Sequence, residues 1–163
     1  MENISFIDPQ QGETVSVVGD TYRIVISGEQ TNGRYAVIDM LIPPGGGPGP
    51  HAHKDIEEMF YVLDGEVEFK KEGGKFLARS GAFVNIPLGG DVHSFRNESA
   101  QVAHLLCTVI PAGLESFFKA IGRPVTKGEF LPAPTPSAEE MEKLKHIAER
   151  FGQQLFPPDY LDK

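Results

Sequence analysis

Two histidines one residue apart, His51 and His53, are the first candidates for chemistry in this sequence. On an extended strand, residues i and i+2 point to the same side, so both imidazoles can reach one cation. Glu57 and Glu58 follow closely, and either could add a carboxylate; His93 lies further along, after a turn rich in Gly and Pro. Three imidazoles and one carboxylate suit one divalent transition metal, such as Fe, Mn, Ni, Co, Cu or Zn.

Glycines at fixed distances frame the first three of these residues. Gly45 precedes His51 with five residues between them, four residues separate His53 from Glu58, and six separate Glu58 from Gly65. This spacing reproduces the first sequence motif of the cupin superfamily, and it selects Glu58 rather than Glu57 as the carboxylate of the motif.

A second segment resembles the other cupin motif. Gly81 precedes Pro87 with five residues between them, and three residues separate His93 from Asn97. One extra residue lies between Pro87 and His93 compared with the usual motif. Because Gly90 falls in the same stretch, we expect the insertion to lie in a turn and to leave His93 in register. On the two motifs together, the chain resembles single-domain (monocupin) metalloproteins of the quercetin dioxygenase-like group.

This resemblance implies a ligand set and a fold. The metal ligands would be His51, His53, Glu58 and His93, and Glu58 would also be the catalytic proton acceptor. One unbroken strand over residues 51–63 would instead place Glu57 on the side of His53, so the assignment of Glu58 requires a break at residues 54–56. The implied fold is all-β: a cupin jelly-roll (double-stranded β-helix) barrel with C-terminal α-helices packed outside.

The hydrophobic pattern agrees with a barrel followed by helices. Short alternating runs cut by Gly, Asn and Asp predict strands, with hairpins at Asp64-Gly65 and at residues 72–75. Apolar residues at helical spacing predict one helix from Leu114 to Ile121, and the capping box Ser137 to Glu140 begins a second. Phe117 and Phe118 would pack on the barrel or close one end of a pocket. We therefore divide the chain into a cupin β-barrel domain, residues 1–111, and a helical C-terminal extension, residues 112–163. The predicted strands are 21–26, 34–42, 59–63, 66–70, 82–86, 92–95 and 102–110.

Composition excludes several classes of partner. Lys and Arg number 15 against 23 Asp and Glu, a formal net charge of −8, which opposes binding to nucleic acid or to an anionic membrane surface. A single cysteine cannot form an internal disulfide, and residues 1–10 lack the pattern of a signal peptide, so we expect a cytoplasmic protein. The resemblance implies a homodimer, and the apolar run of residues 15–18 offers a physical motive for one.

The residues expected to line the metal site suggest the substrate. They are apolar, which favours a small aromatic or enolic molecule over a phosphorylated one. The resemblance therefore implies a metal-dependent dioxygenase similar to quercetinases. The alternatives are another metal-dependent cupin enzyme, an isomerase or cyclase, and a non-catalytic barrel that binds small molecules. We expect His104 to be a core or surface histidine whose hydrogen bonds are satisfied. His146 should be exposed, and Cys107 should be a buried packing residue. The expected lining residues are Met40, Phe60, Val62, Phe83 and Phe95.

Overall fold

The computed structural model describes residues 4–162, which contain twelve strands and two helices. Their bounds follow chain order: β1 (Thr14–Val17), β2 (Asp20–Ile26), β3 (Ala36–Ile42), β4 (His51–Ala52), β5 (Glu57–Asp64), β6 (Glu66–Lys71), β7 (Gly74–Arg79), β8 (Phe83–Ile86), β9 (His93–Arg96), β10 (Ala103–Ile110), α1 (Leu114–Ile121), β11 (Arg123–Pro124), α2 (Ala138–Arg150) and β12 (Gln154–Leu155).

The strands form two antiparallel sheets. The larger has the order β11-β1-β2-β3-β10-β5-β8, and the smaller has the order β12-β4-β9-β6-β7. Neighbours within each sheet are mostly distant in sequence, as expected of a jelly roll. The predicted all-β barrel with C-terminal helices is confirmed.

The strict alternation of β3 and β10 builds the centre of the barrel. Ile38 and Met40 of β3 are buried, as are Leu105 and Cys107 of β10, whereas the intervening residues are half-buried on the opposite face. The buried side chains of both sheets belong to one hydrophobic core. Fully burying an aliphatic side chain of this kind contributes about 1.5–3 kcal/mol, so the two inner faces hold the sheets together.

The chain passes between the two sheets at Asp64-Gly65, where we had expected a hairpin. That prediction is wrong: β5 pairs with β10 and β8 in the larger sheet, and β6 pairs with β7 and β9 in the smaller one. Gly65 has φ +74°, and a Cβ there would lie 2.9 Å from Cα of Ala103. The sequence correctly predicted a turn at these two residues, but the turn carries the chain from the larger sheet to the smaller one. The hairpin at residues 72–75 is confirmed, joining β6 to β7.

Both helices form where the sequence predicted them. The capping box of α2 is complete, since Ser137 accepts from the backbone N–H of Glu140 and the Glu140 carboxylate accepts from the backbone N–H of Ser137. From α1, the ring of Phe118 meets the ring of Tyr22 edge-on, with centroids 4.9 Å apart. Of the apolar residues in α2 and at its C-terminal end, Ala148 is buried, Leu144, Ile147 and Phe151 are half-buried, and Met141 is exposed.

The segment after residue 111 also contributes strands. β11 pairs with β1 at the edge of the larger sheet, and β12 pairs with β4 at the edge of the smaller one. The division of the chain at residue 111 stays a prediction. In the apolar run of residues 15–18, Val15 and Val17 are buried within the chain. These two side chains therefore do not supply the surface expected to join two copies, and the homodimer stays a prediction. Within residues 4–162, neither helix has the length and apolar character needed to cross a bilayer.

Candidate metal centre

The loop that leads into β4 is held against β9. Gly47 has φ +119°, and a Cβ at this residue would lie 2.2 Å from the carbonyl oxygen of Phe95, so only glycine fits. Buried Asn97 exchanges backbone hydrogen bonds with the loop, donating its N–H to the Gly46 oxygen and accepting from the Gly45 N–H. Its side-chain amide donates to the carbonyl oxygen of Ile42 at 2.9 Å. The motif glycine and asparagine therefore fix where the ligand-bearing strand begins.

A buried carboxyl group supports the same loop from the other sheet. Asp20 accepts hydrogen bonds from the Tyr22 hydroxyl at 2.8 Å and from the Gly47 N–H at 3.1 Å. Burial raises the pKa of Asp20 to about 7, although these two hydrogen bonds oppose the rise. The protonated carboxyl group is therefore favoured in the folded protein below neutral pH.

We expect Asp20→Asn to change how stability depends on pH. The folded-state pKa of Asp20 is raised above its unfolded value, so its contribution is present below pH 3.8 and is lost as the pH rises towards about 7. Asn does not ionise, so the variant should not lose this contribution as the pH rises. Its stability relative to the wild type should therefore increase between pH 4 and 8. Urea unfolding at several pH values measures the difference. A difference that stays constant with pH would contradict the raised pKa.

Four side chains from three strands and one turn converge inside the barrel. β4 pairs with β9 so that His51 lies opposite His93. A turn at residues 54–55 separates β4 from β5, and this break brings Glu58, rather than Glu57, to the side of His53. One ligand atom from each of His51, His53, Glu58 and His93 lies within 4.8 Å of the others. The predicted interruption of the strand between His53 and Glu58 is confirmed. The stretch from Pro87 to His93, which holds the extra residue of the second motif, lies in the turn between β8 and β9.

Backbone carbonyls fix which nitrogen each imidazole presents to the cluster. Nδ1 of His51 lies 2.9 Å from the oxygen of Gly49, and Nδ1 of His93 lies 2.9 Å from the oxygen of Asp91. Nδ1 of His53 is likewise 2.9 Å from a carbonyl, that of Ile56. A carbonyl oxygen only accepts, so each Nδ1 carries the proton. Nε2 is therefore the nitrogen that each ring turns to the cluster, where its lone pair can bind an ion, as in metal-binding histidines. In the absence of an ion, Nε2 of His53 instead carries a proton and donates it to Oε2 of Glu58.

The carboxylate of Glu58 sets the charge of the cluster. Its Oε2 lies 2.9 Å from Nε2 of His53 and 3.6 Å from Nε2 of His93. Burial raises the pKa of Glu58, but the hydrogen bond from His53 and the closeness of the other imidazoles outweigh it and hold that pKa well below its usual range. Burial lowers the pKa of His53, but its hydrogen bond to the Glu58 carboxylate and the negative charge of that carboxylate outweigh burial and raise it. Burial, with His93 nearby, lowers the pKa of His51 to about 4, so this ring is neutral at pH 7.

The donor set fits a transition metal. Among residues 4–162, Nε2 of His93 has no hydrogen-bond partner although it is buried, which leaves one lone pair aimed into the cluster. Two ligand atoms bound to one ion at about 2.1 Å lie at most about 4.2 Å apart, so small side-chain movements close the observed set around an ion. Imidazole with carboxylate suits Fe, Mn, Ni, Co, Cu and Zn, and these ligands do not choose among them.

Cys107 contacts the cluster, which sequence analysis did not foresee. Its Sγ donates to Oε1 of Glu58 at 3.3 Å, while Oε2 of the same carboxylate faces the imidazoles. The expected burial of Cys107 is confirmed. The contact arises because β10 pairs with β5, placing Cys107 opposite Phe60 and diagonal to Glu58 on the inner face. Pairing between distant strands brings Cys107 next to Glu58. The sequence could therefore predict only that Cys107 faces inward, not which residue it contacts.

We expect Cys107 to resist alkylation in the folded protein. Burial, reinforced by the charge of Glu58, raises the pKa of the Cys107 thiol well above its usual value, and the side chain is inaccessible. Because the thiolate is the reactive species, iodoacetamide should modify the thiol only after unfolding. Mass spectrometry of native and urea-unfolded protein measures the modified fraction. Rapid modification of native protein, with retained circular dichroism, would contradict this placement.

One predicted lining residue points away from the site. Phe83 is 62% exposed, because it pairs with Tyr61 on the outer face of the larger sheet. In β8 the inward positions are Val84, which is buried opposite Phe60, and Ile86, opposite Glu58. The prediction that Phe83 lines the site is therefore wrong, because its neighbour Val84 is the residue that faces inward. The other expected lining residues are buried in the core, namely Met40, Phe60, Val62 and Phe95.

The remaining two histidines lie outside the cluster. His104 contacts the carboxylate of Asp39 through Nε2 on the outer face of the larger sheet, so it is a satisfied surface histidine as expected. His146 is exposed on α2, between Glu142 and Glu149. Neither side chain is among the four that converge in the barrel.

Comparison with known proteins places this geometry in a family. Residues 38–109 match the family model described as the cupin domain. Over 152 residues the chain is 24% identical to quercetin 2,3-dioxygenase of Bacillus subtilis (strain 168). That match covers 93% of this chain and 44% of the relative, so the chain spans less than half the length of the curated relative it matches.

Solved structures share the fold at low sequence identity. A sugar phosphate isomerase from a cupin superfamily, from Silicibacter pomeroyi DSS-3, matches with a TM-score of 0.57 and 18% identity, over 67% of this chain and 77% of that chain. A predicted oxalate decarboxylase from Thermotoga maritima matches with a TM-score of 0.58 and 23% identity, over 66% of this chain and 99% of that chain. At these identities the likeness concerns the fold alone.

The family assignment therefore has three supports that agree. The family model covers the strands that carry all four converging side chains. The curated relative aligns along nearly the whole chain, and the solved structures share the barrel. The motifs, the barrel and these matches agree that residues 38–109 form a domain that matches the cupin family model, within a chain that is similar to cupin proteins.

Proposed function

We propose that this chain is a metal-dependent dioxygenase that acts on a small aromatic or enolic molecule. The observation that carries the proposal is the convergence of three Nε2 atoms and Oε2 of Glu58 within the barrel. His51, His53, Glu58 and His93 would hold one divalent transition metal. The match to quercetin 2,3-dioxygenase over 93% of the chain supports this choice of reaction.

The protein's own residues would select and orient the substrate. A metal bound here would supply Lewis acidity and adjacent positions for O₂ and a substrate oxygen. Phe60, the next inward-facing residue of β5 after Glu58, is apolar, and the buried residues of the described chain include no Lys or Arg that could hold a phosphorylated substrate. His51 is half-buried whereas the other three ligands are buried, which favours approach of a small molecule from the side of β4.

Glu58 is the proposed proton acceptor for a substrate hydroxyl group. Its depressed pKa keeps the carboxylate ionised throughout the physiological pH range. Its two oxygens have different neighbours, since Oε1 accepts from Cys107 and Oε2 faces the imidazoles. If it loosens from the imidazoles and the metal, its pKa rises and it can take a proton from a hydroxyl group within hydrogen-bond distance.

Oxygen consumption tests the proposal directly. Protein loaded separately with each of the six metals would be mixed with quercetin and related flavonols in air, in an oxygen-electrode chamber. We expect consumption of one O₂ per substrate and, with ¹⁸O₂, two labelled oxygen atoms among the products. The matched control is His93→Ala at equal protein concentration. If no metal form consumes O₂ with any of these substrates, the dioxygenase proposal fails.

The same assay separates the alternatives. Conversion of a substrate under argon, with no change in oxidation level, would indicate an isomerase or cyclase. Tight binding of a small molecule with neither O₂ consumption nor conversion would indicate a non-catalytic binding barrel.

A further inference from the structure

The C-terminal segment contributes a strand beside the candidate metal centre. In β12, Gln154 pairs with Ala52 and Leu155 pairs with His51. The register extends in one direction, because the N–H of Phe156 donates to the oxygen of Pro50 at 2.9 Å. Extended in the other direction, the same register sets residue 153 opposite His53.

Residues opposite each other in an antiparallel pair point to the same face. Gln153 should therefore lie on the inner face with His53, and Gln154 should lie on the outer face with Ala52. Burial agrees with this assignment: Gln153 is only 2% exposed, whereas its neighbour Gln154 is exposed. A polar side chain more than nine-tenths buried thus precedes β12 directly, and the register assigns it to the sheet face that carries His53.

The amide of Gln153 has an unused donor. Its Nε2 is buried and finds no hydrogen-bond partner in the part of the chain that the structure describes, a property that it shares with Nε2 of His93. The backbone is already satisfied, since the N–H of Gln153 donates to the oxygen of Ala148 at 2.9 Å. A buried donor without an acceptor destabilises the folded state, so the side chain is not explained by packing.

We propose that Nε2 of Gln153 donates a hydrogen bond to an oxygen of the small molecule bound at the metal centre. This inference rests on the proposed metal site. The ligand class it implies has two neighbouring oxygens, one for the metal and one for the amide, as in an enolate beside a ketone. Gln153 is then a specificity-determining residue, because a ligand that lacks the second oxygen leaves the amide unpaired.

Binding of maltol, a 3-hydroxy-4-pyranone, to the Co²⁺-loaded protein under argon tests the proposal. Gln153→Met keeps the length of the side chain and removes the donor. We expect it to weaken maltol binding, measured by calorimetry, by about tenfold or more. Binding of Co²⁺ itself should stay within about threefold of the wild type, because Gln153 is not among the ligands. The matched control is Gln154→Met on the outer face, which should change neither affinity.

A stability measurement separates binding from a structural role. Removing an unpaired buried amide should raise the Tm of the metal-free protein by about 2–4 °C, whereas losing a structural hydrogen bond should lower it. Gln153→Asn, which retains an amide but shortens it, provides a second folded variant with weakened maltol binding. Maltol binding within about twofold of the wild type in both variants would overturn the inference, as would a lowered Tm in Gln153→Met.

The outcomes for the two proposals are distinct. If maltol binding depends on Gln153 but no substrate consumes O₂, the dioxygenase proposal fails and the role of Gln153 stands. If the wild type binds Co²⁺ and turns over substrate, yet Gln153→Met binds maltol normally, only the role of Gln153 fails. A wild-type protein that binds neither Co²⁺ nor maltol would contradict both.

Discussion

His93→Ala is expected to abolish stoichiometric metal binding. The change deletes an imidazole whose buried Nε2 has no hydrogen-bond partner within residues 4–162, and it leaves three of the four converging side chains. Loss of a residue that merely supports a ligand costs 10–100-fold in affinity, so loss of a ligand should cost more than about 100-fold. Elemental analysis after dialysis should find about one metal per wild-type chain and a small fraction of that in the variant.

The control for this experiment is the exposed histidine of α2. His146→Ala removes the same group from a site outside the cluster, and it should retain full metal content. Stability gives a second readout, because a metal present at about 1,000 times its Kd stabilises the folded state by about 4 kcal/mol. Wild type and His146→Ala should show this gain, and His93→Ala should not. Equal metal content in all three proteins would reject the proposed ligand set.

Glu58→Gln is expected to destabilise the metal-free protein and to stop turnover. The carboxylate lies 2.9 Å from Nε2 of His53, and both side chains are almost fully buried. Removing one partner of a buried ion pair typically costs about 3–5 kcal/mol, because the remaining charge loses its compensation. Turnover should stop because the amide neither accepts the substrate proton nor carries the charge that a bound cation needs. Urea unfolding and the oxygen assay measure the two effects.

The loss of stability in Glu58→Gln should depend on pH. Glu58 raises the folded-state pKa of His53 above its unfolded value. The resulting stabilisation is fully present below the unfolded pKa, about 6.5, and is lost as the pH rises through the raised pKa. The difference between wild type and variant should therefore be largest in mild acid and shrink in alkali. Glu57→Gln, one residue away and outside the cluster, should show neither effect; a similar loss in that variant would contradict the assignment of Glu58.

The convergence of His51, His53, Glu58 and His93 could be predicted from the sequence, because most of its determinants are local. His51 and His53 share a side by strand alternation, and the glycine spacing selected Glu58 over Glu57. The structure shows the physical reason for the second choice, a turn at residues 54–55 that resets the strand phase. Likewise, Ser137 and Glu140 form a capping box because all of its partners lie within one helical turn.

What the sequence did not predict depends on which distant strands pair. The Asp64-Gly65 turn has the residues of a hairpin, yet β5 pairs with β10 about forty residues away, so the turn crosses between sheets instead. Phe83 and Val84 are both apolar, and only the pairing of Val84 with Phe60 shows which of them faces inward. The turn residues would be the same in a hairpin and in a crossover between sheets, and either apolar residue could face inward. Local sequence therefore could not distinguish these alternatives.

The two polar neighbours of the cluster were missed for the same reason. Cys107 meets Glu58 through pairing between β10 and β5, and the pairing of β12 with β4 brings the segment of Gln153 beside the strand of His51. Each pair is separated by about fifty to one hundred residues, beyond any periodicity in the sequence. A lone cysteine in an apolar strand and a glutamine after a helix carry no local signal of such a contact.

The shortness of β4 has a consequence for the order of events during synthesis. A strand of two residues, His51–Ala52, has almost no stability of its own and depends on β9 on one side and β12 on the other. The ribosome adds β12 about one hundred residues after β4, and closing so long a loop is entropically costly and slow. Most of the jelly roll can therefore assemble before β4, which carries His51, is secured on both sides. An ion bound at the proposed site would then enter late, as a finishing step of maturation rather than a template for folding.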